Sequence, residues 1–311
     1  MPNLEYDVVI CTYNGAKYIE KQITSILAQC IKPKCLYIAD DGSKDNTIEI
    51  CEKILKKSGI NYKITKNKKN LGFAINFMKH ARLCNASVVF FCDQDDVWQK
   101  NKVKVFKDYL DKNSEGLLFF SNAYLTDEDL CVGKYSLWDL LPVPQKSTIS
   151  YKDGLDKNFF VTGATMAIRK KLLDVCPDCP GVHHDAWLSI VASIVGVVVP
   201  IPDKLILYRQ HSSNLLGAHK KNFIERLIGV LDPARKQVRK NQILQRIQIL
   251  KQLKSSKFLS DKEVEKHLDF LYKVNEIIGS AWVNKIRLIF YYPKYKLHTS
   301  GFKQLLVDML I

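Results

Sequence analysis

Long apolar runs are missing from this chain. The longest, Trp187 to Val199, holds 13 residues, well short of the roughly 20 that a helix needs to cross a bilayer. The N-terminus shows no basic segment followed by an apolar one, so no secretory signal is read there. Cysteine is present without a framework: nine residues, an odd number at irregular spacing, argue for reduced thiols in a cytosolic compartment. The single C-x-x-C, Cys176-Pro177-Asp178-Cys179, has no second pair downstream, which removes the usual basis of a structural zinc site. No G-x-G-x-x-G follows the first apolar run, which speaks against a dinucleotide-dependent dehydrogenase. These absences predict a soluble or peripherally bound cytoplasmic protein.

What the chain does have is acid at the ends of short apolar runs. Val88-Val89-Phe90-Phe91-Cys92 leads directly into Asp93-Gln94-Asp95-Asp96. A run of this length fits a buried strand, and its C-terminal end is where open α/β sheets bind ligands. Three carboxylates emerging together repel one another unless something positive sits between them. A hard divalent cation, Mg²⁺ or Mn²⁺, uses one or two carboxylates and completes its shell with phosphate and water. The bland alternative is a solvated acidic turn that caps the next helix. The pattern recurs upstream. Val8-Val9-Ile10-Cys11 runs into Thr12-Tyr13-Asn14-Gly15 before a helix with Ile19, Ile23, Ile26 and Leu27 on one stripe. Cys35-Leu36-Tyr37-Ile38-Ala39 ends in Asp40-Asp41-Gly42-Ser43 before a second helix. A third unit runs from Tyr62 to Thr65 and through Asn70-Leu71-Gly72 into a helix with Phe73, Phe77 and Ala81. Strands alternating with helices of this length predict right-handed crossovers and a parallel sheet, with the polar strand ends on one rim.

With these motifs the chain resembles the inverting nucleotide-sugar glycosyltransferases of family 2, which have the GT-A fold. The resemblance rests on Cys11 to Gly15, Asp40 to Ser43, Asn70 to Gly72 and Asp93 to Trp98. It continues through Thr162-Gly163-Ala164, His184-Asp185-Ala186-Trp187 and Tyr208-Arg209-Gln210-His211. Within the family, the Asp-Gln-Asp-Asp-Val-Trp and Tyr-Arg-Gln-His patterns are most similar to bacterial O-antigen and capsule enzymes, including rhamnosyltransferases.

The resemblance implies a Rossmann-like α/β domain with a mostly parallel sheet over residues 1–217. Residues 1–98 would form its nucleotide-binding half and 99–217 its acceptor half. It implies donor contacts from Thr12, Tyr13, Asn14, Asp40, Asp41, Asn70, Gly72, Asp93 and Arg209, and a Mn²⁺ or Mg²⁺ ion on Asp93 and Asp95. His211, after the strand-like Leu205 to Tyr208, is placed to reach that ion or the diphosphate, and Arg209 to neutralise phosphate. Either is equally at home as a structural hydrogen bonder. Asp96, Trp98, Gly163, His184 and Trp187 are assigned to the sugar and acceptor pocket. The family opens a helix beneath the acceptor with an acidic pair, whose second member is the base. Here the first position is His184, preceded by His183. Asp185 is left as the carboxylate of the pair, with a histidine as the alternative base.

The charge is uneven. Residues 219–311 carry 19 Lys and Arg against 8 Asp and Glu, a net +11 out of the chain's +15. This tail reads as helices over 223–231, 238–253, 263–278 and 283–292. Its aromatic clusters (Trp282, Phe290, Tyr291, Tyr292, Tyr295) suit an anionic membrane surface, while the structural alternative packs the apolar stripes together and leaves ordinary solvated lysines. No nucleic-acid motif accompanies the charge, so no such partner is expected. The function expected is transfer of a sugar from a UDP-hexose or dTDP-rhamnose donor to a lipid-linked bacterial surface glycan at the inner face of the cytoplasmic membrane. The alternatives are a sugar nucleotidyltransferase, disfavoured because Thr12 to Gly15 stands where its Gly-rich basic loop belongs, and a non-catalytic basic interaction protein on the same fold.

Overall fold

The computed structural model describes residues 4–141, 143–149, 160–211 and 233–278. The first part alternates as its periodicity predicts: β1 (Tyr6–Thr12), α1 (Ile19–Leu27), β2 (Cys35–Asp40), α2 (Thr47–Leu55), β3 (Asn61–Lys66), α3 (Phe73–Arg82) and β4 (Val88–Cys92). Every residue of β2 and β4 is buried, as expected of parallel strands covered on both faces. Strand β3 is the sheet edge and alternates between exposed and half-buried. Helix α1 buries Ile19, Ile23 and Ile26, the stripe legible in its sequence.

The chain continues through β5 (Val97–Trp98), α4 (Lys102–Lys112), β6 (Gly116–Thr126), β7 (Val132–Ser136) and α5 (Leu137–Leu140). A 3₁₀ turn (Gly163–Thr165) then precedes β8 (Met166–Arg169), α6 (Lys171–Val175), α7 (His184–Val195) and β9 (Val197–Arg209). Among the described residues nine strands form one sheet of order β3-β2-β1-β4-β8-β6-β9-β5, with β7 paired to β6. Six strands share one direction, and β5, β7 and β8 run against it. The sheet is therefore mostly parallel, with its reversals confined to strands that follow β4.

This topology positions the site. Strand β1 lies between β2 and β4, so the strand order reverses there and a crevice opens at the carboxyl ends. Thr12 is in register with Asp40, and Ile10 with Cys92. Strand β9, parallel to β6, carries Arg209 to the same rim.

Two compact units are present: Met1–Ser150 with Phe160–Cys179 and His183–Ala218, and Tyr151–Phe159 with Pro180–Val182 and His219–Ile311. Within the second, α8 (Pro233–Ser255) and α9 (Asp261–Ile277) pack against each other. The stripe Ile243, Ile247, Leu250 and Leu253 is buried together with Val264, Phe270 and Val274. The helices expected over 223–231 and 283–292, and the tail's aromatic clusters, lie outside the described residues. Among the described residues no helix is long and apolar enough to cross a membrane.

Candidate active site

At the rim lies a cleft of about 350 Å³. One wall is the turn after β1. Asn14 occupies the left-handed region, φ +48°, which asparagine tolerates through local hydrogen bonding. Its side-chain oxygen accepts from the Lys44 N–H and its own N–H donates to Ser43 Oγ, both at 2.9 Å. From the other side Gln94 clamps Tyr13, accepting from its N–H at 2.9 Å and donating to its carbonyl at 3.1 Å. A Cβ at Gly15 would collide with Gln94 Oε1, so the glycine lets the clamp close.

The two acids after β2 are saturated with donors. Asp40, fully buried, accepts from Thr12 Oγ1 (3.0 Å), the Gly42 and Ser43 N–H groups (3.1 and 2.9 Å) and the Ser43 hydroxyl. Asp41 accepts from Asn67 Nδ2 (2.9 Å) and from the Leu71 and Gly72 N–H groups (2.8 Å each). It thereby fastens the turn that opens α3, where Gly72 has φ +78°.

The acids after β4 are not saturated. Asp96 is buried, and only its Oδ1 is partnered, by the Arg209 N–H at 3.0 Å; Oδ2 has no partner. Burial, with Asp95 and Asp93 adding, pushes its carboxyl well above the ordinary carboxylate range. Asp93 is pushed up to about 7 by burial, reinforced by Asp95 and Asp185 and opposed by Lys102. Asp95 Oδ2 meets His211 Nε2 at 2.8 Å, and the imidazole stacks on Tyr18 with centroids 5.1 Å apart. Among the described residues no three His, Cys, Asp or Glu side chains form a complete ion-binding set. The strand end supplies a partial set of hard oxygens, with Asp96 Oδ2 unpartnered behind them. Such a set fits a cation that brings diphosphate and water as its other ligands.

The far wall is the start of α7 facing the 3₁₀ turn. Asp185 Oδ2 accepts from the Gly163 N–H at 3.0 Å, and Oδ1 from the Ala186 N–H at 2.7 Å. His184 is buried and stacked on Phe77, with centroids 4.4 Å apart. Burial pushes its imidazole down to about 4, which leaves it neutral and a poor proton acceptor near pH 7. A Cβ on Gly163 would stand 2.7 Å from His184 Nε2, so glycine is what lets the turn approach the ring.

Of the residues singled out from the sequence, Thr12, Tyr13, Asp41, Asn70, Gly72, Asp93, Asp95, Asp96, Gly163, His184 and Asp185 line this one cleft. Two assignments are corrected. Trp98 is core, 3% exposed, with its ring under the Lys102 ammonium at 3.9 Å. Trp187 is fully buried and donates from its indole to the Pro177 carbonyl at 3.1 Å. Alternate residues of a strand and successive residues of a helix point to different sides, so motif neighbours need not share a pocket. Asn14 and Asp40 stand behind the lining, where they hold turns. Arg209 is also outside it: buried, it donates from Nε to the Asp95 carbonyl at 2.7 Å and from Nη1 to the Glu128 carbonyl, so its fork holds backbone. His211 is outside the lining and meets it at Asp95. Not singled out from the sequence were Gln94, Phe77 and the buried Lys102. Lys102 stands four residues before Phe106 on the buried stripe of α4, and that spacing was the available signal.

The comparisons with known proteins agree with this geometry. Residues 7–176 match the family model described as Glycosyl transferase family 2. The dTDP-rhamnosyl transferase RfbG of Shigella flexneri is 30% identical over 229 residues, 68% of this chain and 74% of that protein. The UDP-Glc:alpha-D-GlcNAc-diphosphoundecaprenol beta-1,3-glucosyltransferase WfgD of Escherichia coli is 27% identical over 187 residues, 59% of this chain and 68% of that protein. Among solved structures, the mannosyltransferase PcManGT of Pyrobaculum calidifontis, in complex with GDP-Man and Mn²⁺, superposes with a TM-score of 0.55 at 14% identity, covering 99% of this chain and 86% of that one. The chain belongs to glycosyl transferase family 2: it is a glycosyltransferase of GT-A fold that uses a nucleotide-sugar donor.

Proposed function

We propose that this enzyme is inverting and metal-dependent, and that it passes a hexose or deoxyhexose from a UDP- or dTDP-linked donor to a hydroxyl of a lipid-linked glycan. The observation that carries the reading is the juxtaposition, across one cleft, of the unsaturated acids after β4 and the carboxylate of Asp185. Thr12, Tyr13, Asp41, Asn70 and Gly72 form the nucleoside end. Asp93 and Asp95 would hold Mn²⁺ or Mg²⁺, which when bound neutralises charge on the departing diphosphate. Asp185, oriented by the Gly163 N–H, accepts the proton of the acceptor hydroxyl as its oxygen attacks the anomeric carbon. The new C–O bond forms opposite the sugar–phosphate bond that breaks, so the anomeric configuration inverts. The low proton affinity of His184 favours Asp185 over it as the base.

The named substrates of similar proteins support the finer points: a dTDP-linked sugar for RfbG, a diphosphoundecaprenol-linked acceptor for WfgD, GDP-Man with Mn²⁺ for PcManGT. The +11 of residues 219–311 supports docking on an anionic membrane, where each basic residue contributes about 1 kcal/mol. The test is nucleotide release from a panel of UDP-, dTDP- and GDP-sugars in the presence of an acceptor, for wild type and Asp185→Asn. The variant is expected to bind the released nucleotide as wild type does and to turn over about 10²–10⁴-fold more slowly, as for loss of a general base. A variant within a few-fold of wild type would remove Asp185 from the role.

A further inference from the structure

Lys102, in the first turn of α4, is fully buried. Lysine is almost never fully buried without partners, and the surroundings of this ammonium are specific. Nζ donates to the Ala164 carbonyl at 3.2 Å. It lies 3.9 Å from the ring centroid of Trp98, and within 6 Å of those of Phe90 and Phe106. Burial pushes its ammonium down to about 7, opposed by Cys92, Asp96 and Asp93 at the end of β4 and just after it. Ala164 is the middle residue of the 3₁₀ turn Gly163–Thr165, and the preceding Gly163 N–H is the donor that orients Asp185 Oδ2 at 3.0 Å. One buried side chain thus ties the turn that holds Asp185 to the element that follows the acidic strand end.

We infer that Lys102 is a positioning residue: by anchoring the Ala164 carbonyl beneath the acidic strand end, it fixes the Gly163–Thr165 turn and so the placement of Asp185 relative to the donor. An aliphatic side chain of similar length would fill the aromatic slot, so packing alone does not require an ammonium there. The inference rests on the reading of Asp185 as the base.

The test is a double-mutant cycle on the full chain with Lys102→Met, Asp185→Asn and the combined variant. Methionine suits the slot because it is unbranched and packs well against aromatic rings. The measurements are kcat, the KM for whichever nucleotide sugar the wild type turns over, and calorimetric affinity for the UDP or dTDP it releases. Lys102→Met is expected to lower kcat by about 10–100-fold, the scale of a small misplacement of a reacting group, with nucleotide affinity and thermal midpoint unchanged. The double variant is expected to be no slower than Asp185→Asn alone, because the two residues act as one unit. Wild-type kcat in Lys102→Met, or losses that multiply in the double variant, would overturn the inference. Full turnover by Asp185→Asn would instead fail the base assignment and take this inference with it, and that single arm reports which of the two has failed. Should Lys102→Met not fold, Lys102→Gln, whose amide ends one bond short of the ammonium position, goes through the same cycle: a lowered kcat without further loss in the double variant supports the inference, and wild-type kcat or multiplying losses overturn it.

Discussion

The carboxylates after β2 and those after β4 sit on the same rim, on strands that both neighbour β1, yet they meet opposite fates. Asp40 and Asp41 together accept seven hydrogen bonds, four of them from backbone N–H groups. Asp93, Asp95 and Asp96 face one another, Asp96 Oδ2 has no partner, and Asp93 is pushed up to about 7. Carboxyl groups surrounded by amide donors hold loops, whereas burial among other acids pushes Asp93 and Asp96 above the ordinary carboxylate range. The same residue type therefore fastens turns in one place and leaves a buried carboxyl oxygen unpartnered in the other.

Exchanging single atoms at each end should separate the two. The largest effect belongs to Asp95→Asn, which is expected to abolish cation-dependent turnover while leaving the urea midpoint where it was, since the change removes a charge at the rim and no core contact. Asp41→Asn is expected to lower stability. It places an amide N–H₂ against backbone N–H donors, which should cost about 1–3 kcal/mol of stability by urea denaturation, the scale of leaving a buried donor unsatisfied. A stable Asp41→Asn, or an unfolded Asp95→Asn, would erase the distinction.

A smaller effect concerns pH. The folded-state pKa of His184 lies below the unfolded one, so on acidification the unfolded chain takes up the proton first. The stability associated with this group is complete above about pH 6.5 and is lost as pH falls towards 4. Between pH 7.5 and 5, wild type should lose about 2 kcal/mol more than His184→Gln does, measured by urea unfolding. Equal losses would mean the imidazole is not buried in its neutral form. The smallest effect lies in the second unit: Lys240→Glu with Lys251→Glu should weaken binding to anionic vesicles at low salt and make no difference at high salt. Wild-type binding that ignores both lipid charge and salt would remove the membrane reading.

Much of the fold was legible because its signals are local. The apolar runs of β1, β2 and β4 and the stripe of α1 each fit one period, and the acids at their ends mark the rim. The converging site residues were legible to the extent that strand ends meet on a common edge. What the sequence does not carry is the direction a side chain takes once packed. Trp98 and Trp187 share motifs with cleft residues and point into the core, and Arg209 spends its fork on carbonyls contributed by residues 95 and 128. Lys102 was hidden for a related reason: a charged residue on an apolar stripe reads as a stripe edge until the long-range partner, the carbonyl of Ala164, is known.

The central claim is that the acids after β4 are unsaturated because they await a divalent cation bearing diphosphate. Nucleotide release from the active donor, titrated with Mn²⁺ after stripping with chelator, tests it most directly. Turnover is predicted to rise saturably with Mn²⁺ in wild type and to stay at background in Asp95→Asn at every concentration; full wild-type turnover in the presence of chelator would contradict the claim.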